Sequence, residues 1–164
     1  MLLKVGMDPE WSFPQLSDSL GFSVSALHRS LARAADAGLY DSSRRSVRSA
    51  AFEEFLVHAL KYLAPPRQTG ETRGIPTAWE SPRLKDKFAP SERLPLVWPY
   101  ALGDRRGVGL EPLHPAVPRA AVRDPKLGER LAMVDALRLG DARLAEIAAH
   151  ELRDMLSGDE HRAA

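Results

Sequence analysis

Two short runs of apolar residues at helical spacing, separated by one glycine, form the most distinctive stretch of the chain. The two runs are Phe13, Leu16 and Leu20, and then Val24, Leu27 and Leu31. Intervals of three and four place each set on one face of a helix. Gly21 between them can take the positive φ that a sharp turn requires. The pattern therefore predicts two short helices joined by a tight turn.

Capping residues mark the ends of both predicted helices. Ser12 and Gln15 form a capping box at the start of the first. Ser23 is the predicted N-cap of the second, which spans residues 24–36, and Gly38 is its C-terminal glycine. Both helices therefore have defined boundaries in the sequence.

The outer face of the second helix is polar and basic. It contains Ser23 at the cap, followed by Ser25, His28, Arg29, Ser30 and Arg33. A recognition helix in DNA has this distribution, because its first residues approach base edges while arginines reach guanine or phosphate. The alternative is an ordinary αα-hairpin. The shortness of the helices and the absence of acids before Asp36 favour the helix-turn-helix.

An arginine-rich turn follows directly. Residues 40–48 include Arg44, Arg45 and Arg48, and residues 23–48 hold five arginines against two aspartates, a local charge of +3. In a winged helix a short hairpin at this point contacts the flanking DNA backbone, and phosphate contacts supply most of the affinity. The alternative is a solvated loop.

These residues resemble the winged helix-turn-helix transcriptional regulators of bacteria, especially MarR-like ones. The shared pattern is LxxxLGxSxSxxxRxLxxxxxAGL, from Leu16 to Leu39. With the helix start before it and the arginines after it, the resemblance covers about a quarter of the chain. Ser17 departs from it, since a small alanine is usual there. The helix expected before the motif is represented only by residues 1–7, which look like the tail of a longer helix. The resemblance implies DNA binding by a dimer.

A third apolar stripe predicts a helix that starts at Ser46 or Ser49 and stops at Pro65. The stripe consists of Phe52, Phe55, Leu56, Ala59, Leu60 and Leu63. This helix packs on the first two, pairs with its copy in a dimer, or does both. Ten of the thirteen prolines then fall in residues 65–118, which argues against regular helix there.

The proline-rich segment contains a predicted loop and a predicted hairpin. Residues 68–74 are polar and are interpreted as the loop, whereas Leu94–Trp98 and Val108–Leu113 are the hairpin strands. Prolines in and after the first strand would keep it at a sheet edge. Trp79 and Trp98 indicate a segment anchored by aromatic side chains rather than a disordered one.

Two helices close the chain. Asp124 with Pro125 starts the first, Gly140 ends it, and Asp141 caps the second, which reaches about residue 157. The apolar stripe of the second contains Leu144, Ile147, Ala148, Leu152, Met155 and Leu156. This stripe is either part of the core or a dimerisation surface.

The fold class predicted from these elements is mainly α with a little β. A winged helix-turn-helix occupies residues 1–64, a proline-rich extended segment with a β-hairpin occupies 65–118, and a helical hairpin occupies 119–164. Several strings also resemble the tails of a group of bacterial helix-turn-helix proteins: residues 74–79, 97–99, 110–115 and 135–140. That resemblance implies a common architecture and no particular ligand.

Composition limits the remaining function classes. The 164 residues carry a net charge of +1, yet residues 129–162 hold eight acids against five arginines, so only the N-terminal part is expected to meet DNA. The absence of cysteine excludes disulfides, thiol catalysis and cysteine-based zinc sites. No apolar run has the length of a membrane span, and no signal peptide is recognisable, so we expect a cytoplasmic protein.

No catalytic constellation is recognisable. The five histidines do not pair at metal-ligand spacing, and the chain lacks GxSxG, GxxxxGK[ST] and GxGxxG motifs. We therefore expect neither an enzyme nor a cofactor or metal.

The sequence predicts a DNA-binding transcriptional regulator, a homodimeric repressor that inserts helix 24–36 into the major groove of double-stranded DNA. Ser25, His28 and Arg29 would lie nearest base edges, and Ser23 and Arg33 nearer phosphate. Arg44, Arg45 and Arg48 would hold the DNA backbone.

Two alternatives remain. The first is a protein-interaction module, such as an antitoxin or adaptor, that binds a protein partner through the proline-rich and C-terminal segments. Two exposed tryptophans and an incomplete first helix would favour it. The second is a ligand-sensing regulator with a pocket lined by Trp79, Trp98 and Tyr100, although no convergent polar groups mark such a pocket.

Overall fold

The computed structural model describes residues 1–88 and 94–163, with residues 158–163 described by their backbone alone. The N-terminal elements are α1 (Leu2–Met7), α2 (Phe13–Leu20), α3 (Val24–Asp36), β1 (Tyr40–Asp41), β2 (Ser46–Val47), α4 (Ser49–Glu54), a π-helical turn (Phe55–Ala59) and α5 (Leu60–Leu63). There follow β3 (Gln68–Pro76), 3₁₀ turns at Ala78–Glu80 and Lys85–Lys87, β4 (Leu96–Pro99), β5 (Arg105–Leu110), α6 (Val117–Arg123), α7 (Pro125–Leu139) and α8 (Ala142–Ala163). The chain is mainly helical with two small sheets.

The predicted boundaries of α2 and α3 are confirmed. Ser12 Oγ accepts a hydrogen bond from the Gln15 N–H, and the Gln15 side chain accepts one from the Ser12 N–H, which completes the capping box. Ser23 Oγ accepts from the N–H of Ala26 at the start of α3. Gly21 and Gly38 follow the two helices with φ of 71° and 72°.

The turn between α2 and α3 has an additional hydrogen bond. The Ser17 hydroxyl donates to the carbonyl of Phe22 at 2.6 Å, so the serine that departs from the family pattern closes the turn. Leu16 and Leu27 are both 1% exposed and form the contact between the helices. Val24 was predicted to join that inner face, but it is 41% exposed because it lies in the first turn of α3, beyond the packed part of α2.

The helix predicted after the arginine-rich turn consists of α4, the π-helical turn and α5. It begins at Ser49 and ends before Pro65, and Ser46 lies in β2. Phe52, Leu56 and Leu60 are buried at intervals of four, because the π-helical turn lengthens the repeat. That shift turns Leu63 away from the core. The prediction that Leu63 belongs to the buried stripe is therefore wrong, and it is 70% exposed.

The proline-rich segment forms a small closed sheet. Strand β3 pairs antiparallel with β5 along its first part and with β4 along its last part, and β4 pairs parallel with β5. Close backbone approach requires glycine at several places, two of which lie in paired strands. A Cβ on Gly74 would lie 2.1 Å from the Trp98 carbonyl oxygen, and one on Gly107 would lie 2.1 Å from that of Pro95.

Three predictions for this segment are wrong. Residues 68–74, predicted as a loop, are strand, because their polar side chains face solvent while hydrogen bonds to β5 fix the backbone. Both predicted hairpin strands are present, as β4 and β5. They pair parallel to each other, whereas the two strands of a hairpin are antiparallel. Strand β4 is also not an edge strand: Pro95 precedes it and Pro99 ends it, so its interior pairs on both sides.

Helix α7 is the central helix of the fold. Asp124 caps it by accepting from the Leu127 N–H, and Gly140 ends it with φ of 74°, as predicted. Asp141 caps α8 through the Leu144 N–H. Helix α8 continues to Ala163, beyond the predicted end, and its apolar stripe packs against α7 and α1, so the core interpretation holds and the dimer interpretation of this stripe does not.

A buried polar cluster joins α7 to the small sheet. Asp135 is 1% exposed and accepts hydrogen bonds from Trp98 Nε1 at 2.5 Å, Thr77 Oγ1 at 3.0 Å and Arg138 Nη1 at 2.6 Å. Arg138 also donates to the carbonyls of Ala64 and Glu111. Burial raises the pKa of the Asp135 carboxyl, whereas the neighbouring Arg138 and the three hydrogen bonds favour the carboxylate. This cluster fixes the C-terminal helices to the rest of the fold.

One hydrophobic cluster includes residues from all three predicted segments. Leu16 and Leu27 belong to it from the first, Trp98 from the second, and Met133 and Leu152 from the third. Within the described residues, no helix has the length and apolar character needed to cross a membrane.

Candidate nucleic-acid interface

The predicted contact residues of α3 lie on its exposed face. Ser25, Arg29 and Arg33 follow one another at intervals of four, so they form one row along the helix, and all three are exposed. Ser23 is exposed at the start of this row, where its Oγ lies 3.2 Å from that of Ser25. Four polar side chains are thus presented to solvent in one line.

Neither arginine of this row has an acidic partner among the residues that the structure describes. Arg33 Nη2 donates to the hydroxyl of Ser30 at 3.2 Å, one turn earlier on the same helix. Arg29 forms no hydrogen bond or ion pair with any residue that the structure describes. Both guanidinium groups can therefore meet an anion without first losing a salt bridge.

His28 is positioned by packing rather than left free. Its ring stacks on Phe13, with centroids 3.7 Å apart and an angle of 22° between the planes. Phe13 is in turn in edge contact with Trp11, with centroids 5.2 Å apart. His28 is exposed at its outer edge. It therefore helps to hold α3 against the first turn of α2.

The hairpin β1–β2 places the next three arginines at a turn. The Asp41 carboxylate accepts hydrogen bonds from the Ser43 hydroxyl and from the N–H groups of Ser43 and Arg44. The bond from the Ser43 hydroxyl, with the others, holds the pKa of the Asp41 carboxyl below its ordinary value. An ionised Asp41 thus shapes this turn.

Arg45 has a different environment from its two neighbours. Its backbone has φ of 53°, and its guanidinium lies 4.4 Å from the ring centroid of Trp11 while donating to the Trp11 carbonyl at 3.0 Å. Arg44 and Arg48 instead border one open groove on the hairpin and are exposed. The structure brings Arg44 and Arg48 together, whereas Arg45 ties the hairpin to the segment before α2.

Sequence reasoning missed the contribution of the segment before α7. The ring of His114 contacts that of Phe22 in the α2–α3 turn, at a centroid distance of 4.6 Å. Arg123 of α6 donates to the carbonyl of Asp18 in α2 at 2.5 Å. The available sequence signal was the basic pair Arg119 and Arg123 at a spacing of four residues, and the structure shows that both side chains are exposed.

The three aromatic residues of the predicted ligand pocket have different surroundings. Trp98 is 1% exposed and donates to Asp135, so the interpretation of both tryptophans as exposed is wrong for Trp98. A small cavity of about 170 Å³ borders Trp98 between the sheet and α7, but neither Trp79 nor Tyr100 lines it. In the part of the chain that is described, no group of three potential metal ligands converges.

Comparison of the chain with protein-family models, with curated proteins and with solved structures gave no match.

Proposed function

We propose that the protein is a sequence-specific DNA-binding transcriptional regulator, built on a winged helix-turn-helix formed by α2, α3 and the hairpin β1–β2. The observation that carries the proposal is the basic row on α3, whose arginines have no acidic partner within the described residues. The row starts at a capped helix end and is followed after three residues by an arginine-bearing hairpin. A helix of this kind fits the major groove, and a short hairpin beside it reaches the flanking phosphates.

The side chains of α3 and of the hairpin β1–β2 have different roles in this proposal. Ser25 and Arg29 contact base edges, with Arg29 directed at a guanine. Arg33 and the Ser23 cap contact phosphate, and His28 fixes the angle of α3 through its stack on Phe13. Arg44 and Arg48 hold the backbone from the hairpin, whereas Arg45 supports the hairpin through Trp11.

We further propose that the regulator acts as a homodimeric repressor, because a twofold protein matches the two half-sites of a palindromic operator. The exposed end of α5 supports this. Tyr62 is 76% and Leu63 is 70% exposed, two neighbouring large apolar side chains at the surface.

The same two side chains favour the second candidate function, a module that binds another protein. They lie directly before the proline-rich segment, as an antitoxin or adaptor of the kind predicted from the sequence would require. DNA affinity without sequence preference, together with a retained protein partner, would support this second candidate.

The experiment is fluorescence anisotropy with two labelled duplexes, the DNA upstream of this protein's own gene and a scrambled duplex of equal length, at two salt concentrations. The proposal expects tight binding to the first duplex alone, weakening with salt. Arg29→Ala should lose about 1–3 kcal/mol on the operator and little on the scrambled duplex. Arg143→Ala, which removes the same charge from an exposed position in the first turn of α8, is the matched control. Equal weak binding of both duplexes would refute the proposal.

A further inference from the structure

An open groove of about 550 Å³ lies between the α2–α3 turn and α6. It is lined by Pro14, Asp18, Gly21, Val24, Arg119 and Arg123. One wall therefore consists of α2, the α2–α3 turn and the first residue of α3, and the other is a helix that follows the small sheet, about a hundred residues further along the chain. The groove opens beside the end of α3 that the proposed function directs at base edges.

The α6 wall of the groove is basic. Arg119 and Arg123 are one helical turn apart and exposed, on the side of α6 opposite to its buried residues Ala120 and Ala121. Like charges at this spacing destabilise a helix by a few tenths of a kcal/mol. Within the described residues these two positive charges are only partly neutralised, so the groove can attract an anion.

The two arginines differ in their partners. Arg123 donates to the Asp18 carbonyl, and its guanidinium lies 3.9 Å from the Asp18 carboxylate, whose side chain is 90% exposed. Arg123 thus joins α6 to α2. Arg119 has no hydrogen bond or ion pair with any residue in the described ranges.

We propose that α6 belongs to the DNA interface, with Arg119 contacting a backbone phosphate next to the bases read by α3 and Arg123 holding α6 in place for that contact. The inference rests on the proposed function and extends it, because it assigns a phosphate contact to the C-terminal half of the chain. Asp18 opposes the contact by placing a carboxylate in the same groove.

The test is the salt dependence of operator binding by the full chain. Each phosphate contact changes the slope of log K against log salt by about 0.9. Loss of one contact in Arg119→Ala should therefore weaken binding, and the ratio between wild type and variant should shrink about 3.5-fold from about 50 to about 200 mM salt. Arg119→Lys keeps the charge and should keep the slope, and Arg143→Ala should behave as wild type.

Asp18→Asn supplies a readout of opposite sign. It removes the carboxylate from the groove and keeps the backbone carbonyl that Arg123 binds, so operator affinity should rise. A merely structural role for the groove would give no increase. Thermal unfolding of each variant checks that the fold is intact, and no change is expected for Arg119→Ala because that side chain is exposed and unpartnered within the described residues.

The outcomes separate this inference from the proposed function. Wild-type binding by Arg119→Ala, together with a loss in Arg29→Ala, overturns the role of α6 and leaves the regulator intact. Binding of wild type that does not distinguish the operator from the scrambled duplex overturns both.

Discussion

Removing the Asp135 carboxylate should strongly lower the free energy of unfolding of the protein. The substitution Asp135→Ala takes away the acceptor of three hydrogen bonds, from Trp98, Thr77 and Arg138. The side chain of Arg138 is only 4% exposed, so its charge would remain in the core without a counter-ion.

The magnitude follows from these contacts. Leaving one member of a buried ion pair without its partner costs about 3–5 kcal/mol. The Trp98 N–H would also lose its acceptor, and an unsatisfied buried donor costs about 1–3 kcal/mol. Water entering the vacated site would recover part of this, so we expect a loss of about 4 kcal/mol. That is a large share of the roughly 5–15 kcal/mol by which a domain is stable.

Urea unfolding followed by tryptophan fluorescence measures this loss, with Glu53→Ala as the matched control. Glu53 also pairs with an arginine, Arg153, at 2.7 Å, but both side chains are partly exposed. Exposed pairs contribute at most about 1 kcal/mol. Equal small losses in the two variants would refute the reasoning, because they would mean that the Asp135 site is open to water.

Three further predictions concern local features. Gly21→Ala should lower the free energy of unfolding by about 1–2 kcal/mol, because φ is 71° there although the space for a Cβ is open. Gly70→Ala, in equally open space without a positive φ, should lower it much less in the same urea titration. Arg45→Ala should lower the free energy of unfolding by about 1 kcal/mol, because it loses the cation–π contact and the hydrogen bond to Trp11; an unchanged urea midpoint would contradict this. A hydrogen bond from Lys87 helps to hold the pKa of Glu151 below its ordinary 4.5, so the ionised carboxylate stabilises the fold above that pH and this stabilisation is lost as pH falls below it. Glu151→Gln should therefore be less stable than wild type near pH 6. A difference in stability that stays constant down to about pH 3 would contradict the assignment.

The buried cluster also joins parts of the chain that are far apart in sequence, at residues 74–79, 97–99, 110–115 and 135–140. Thr77, Trp98 and Glu111 come from the first three of these segments and Asp135 and Arg138 from the fourth, and all contribute an atom to the cluster. Nothing in their sequence spacing indicated that they meet, because the hydrogen bonds join residues up to 74 positions apart.

The sequence by itself determined α2, α3 and α7 and their ends. The capping box at Ser12, the N-cap at Ser23, the glycines at 21 and 38 and the Asp124 cap all act over three or four residues, so local chemistry is sufficient to define them. The exposed row on α3 followed from the same helical period. These local signals also predicted the hairpin turn with its arginines.

Only the tertiary structure decided the small sheet and the surroundings of the interface. Strand β3 has polar side chains and owes its conformation to hydrogen bonds with β4 and β5, which no local pattern encodes. The burial of Trp98, the exposure of Leu63 after a π-helical turn and the approach of α6 to α2 each depend on distant parts of the chain. Short-range periodicity therefore predicts helical faces, whereas long-range pairing and packing decide which faces meet.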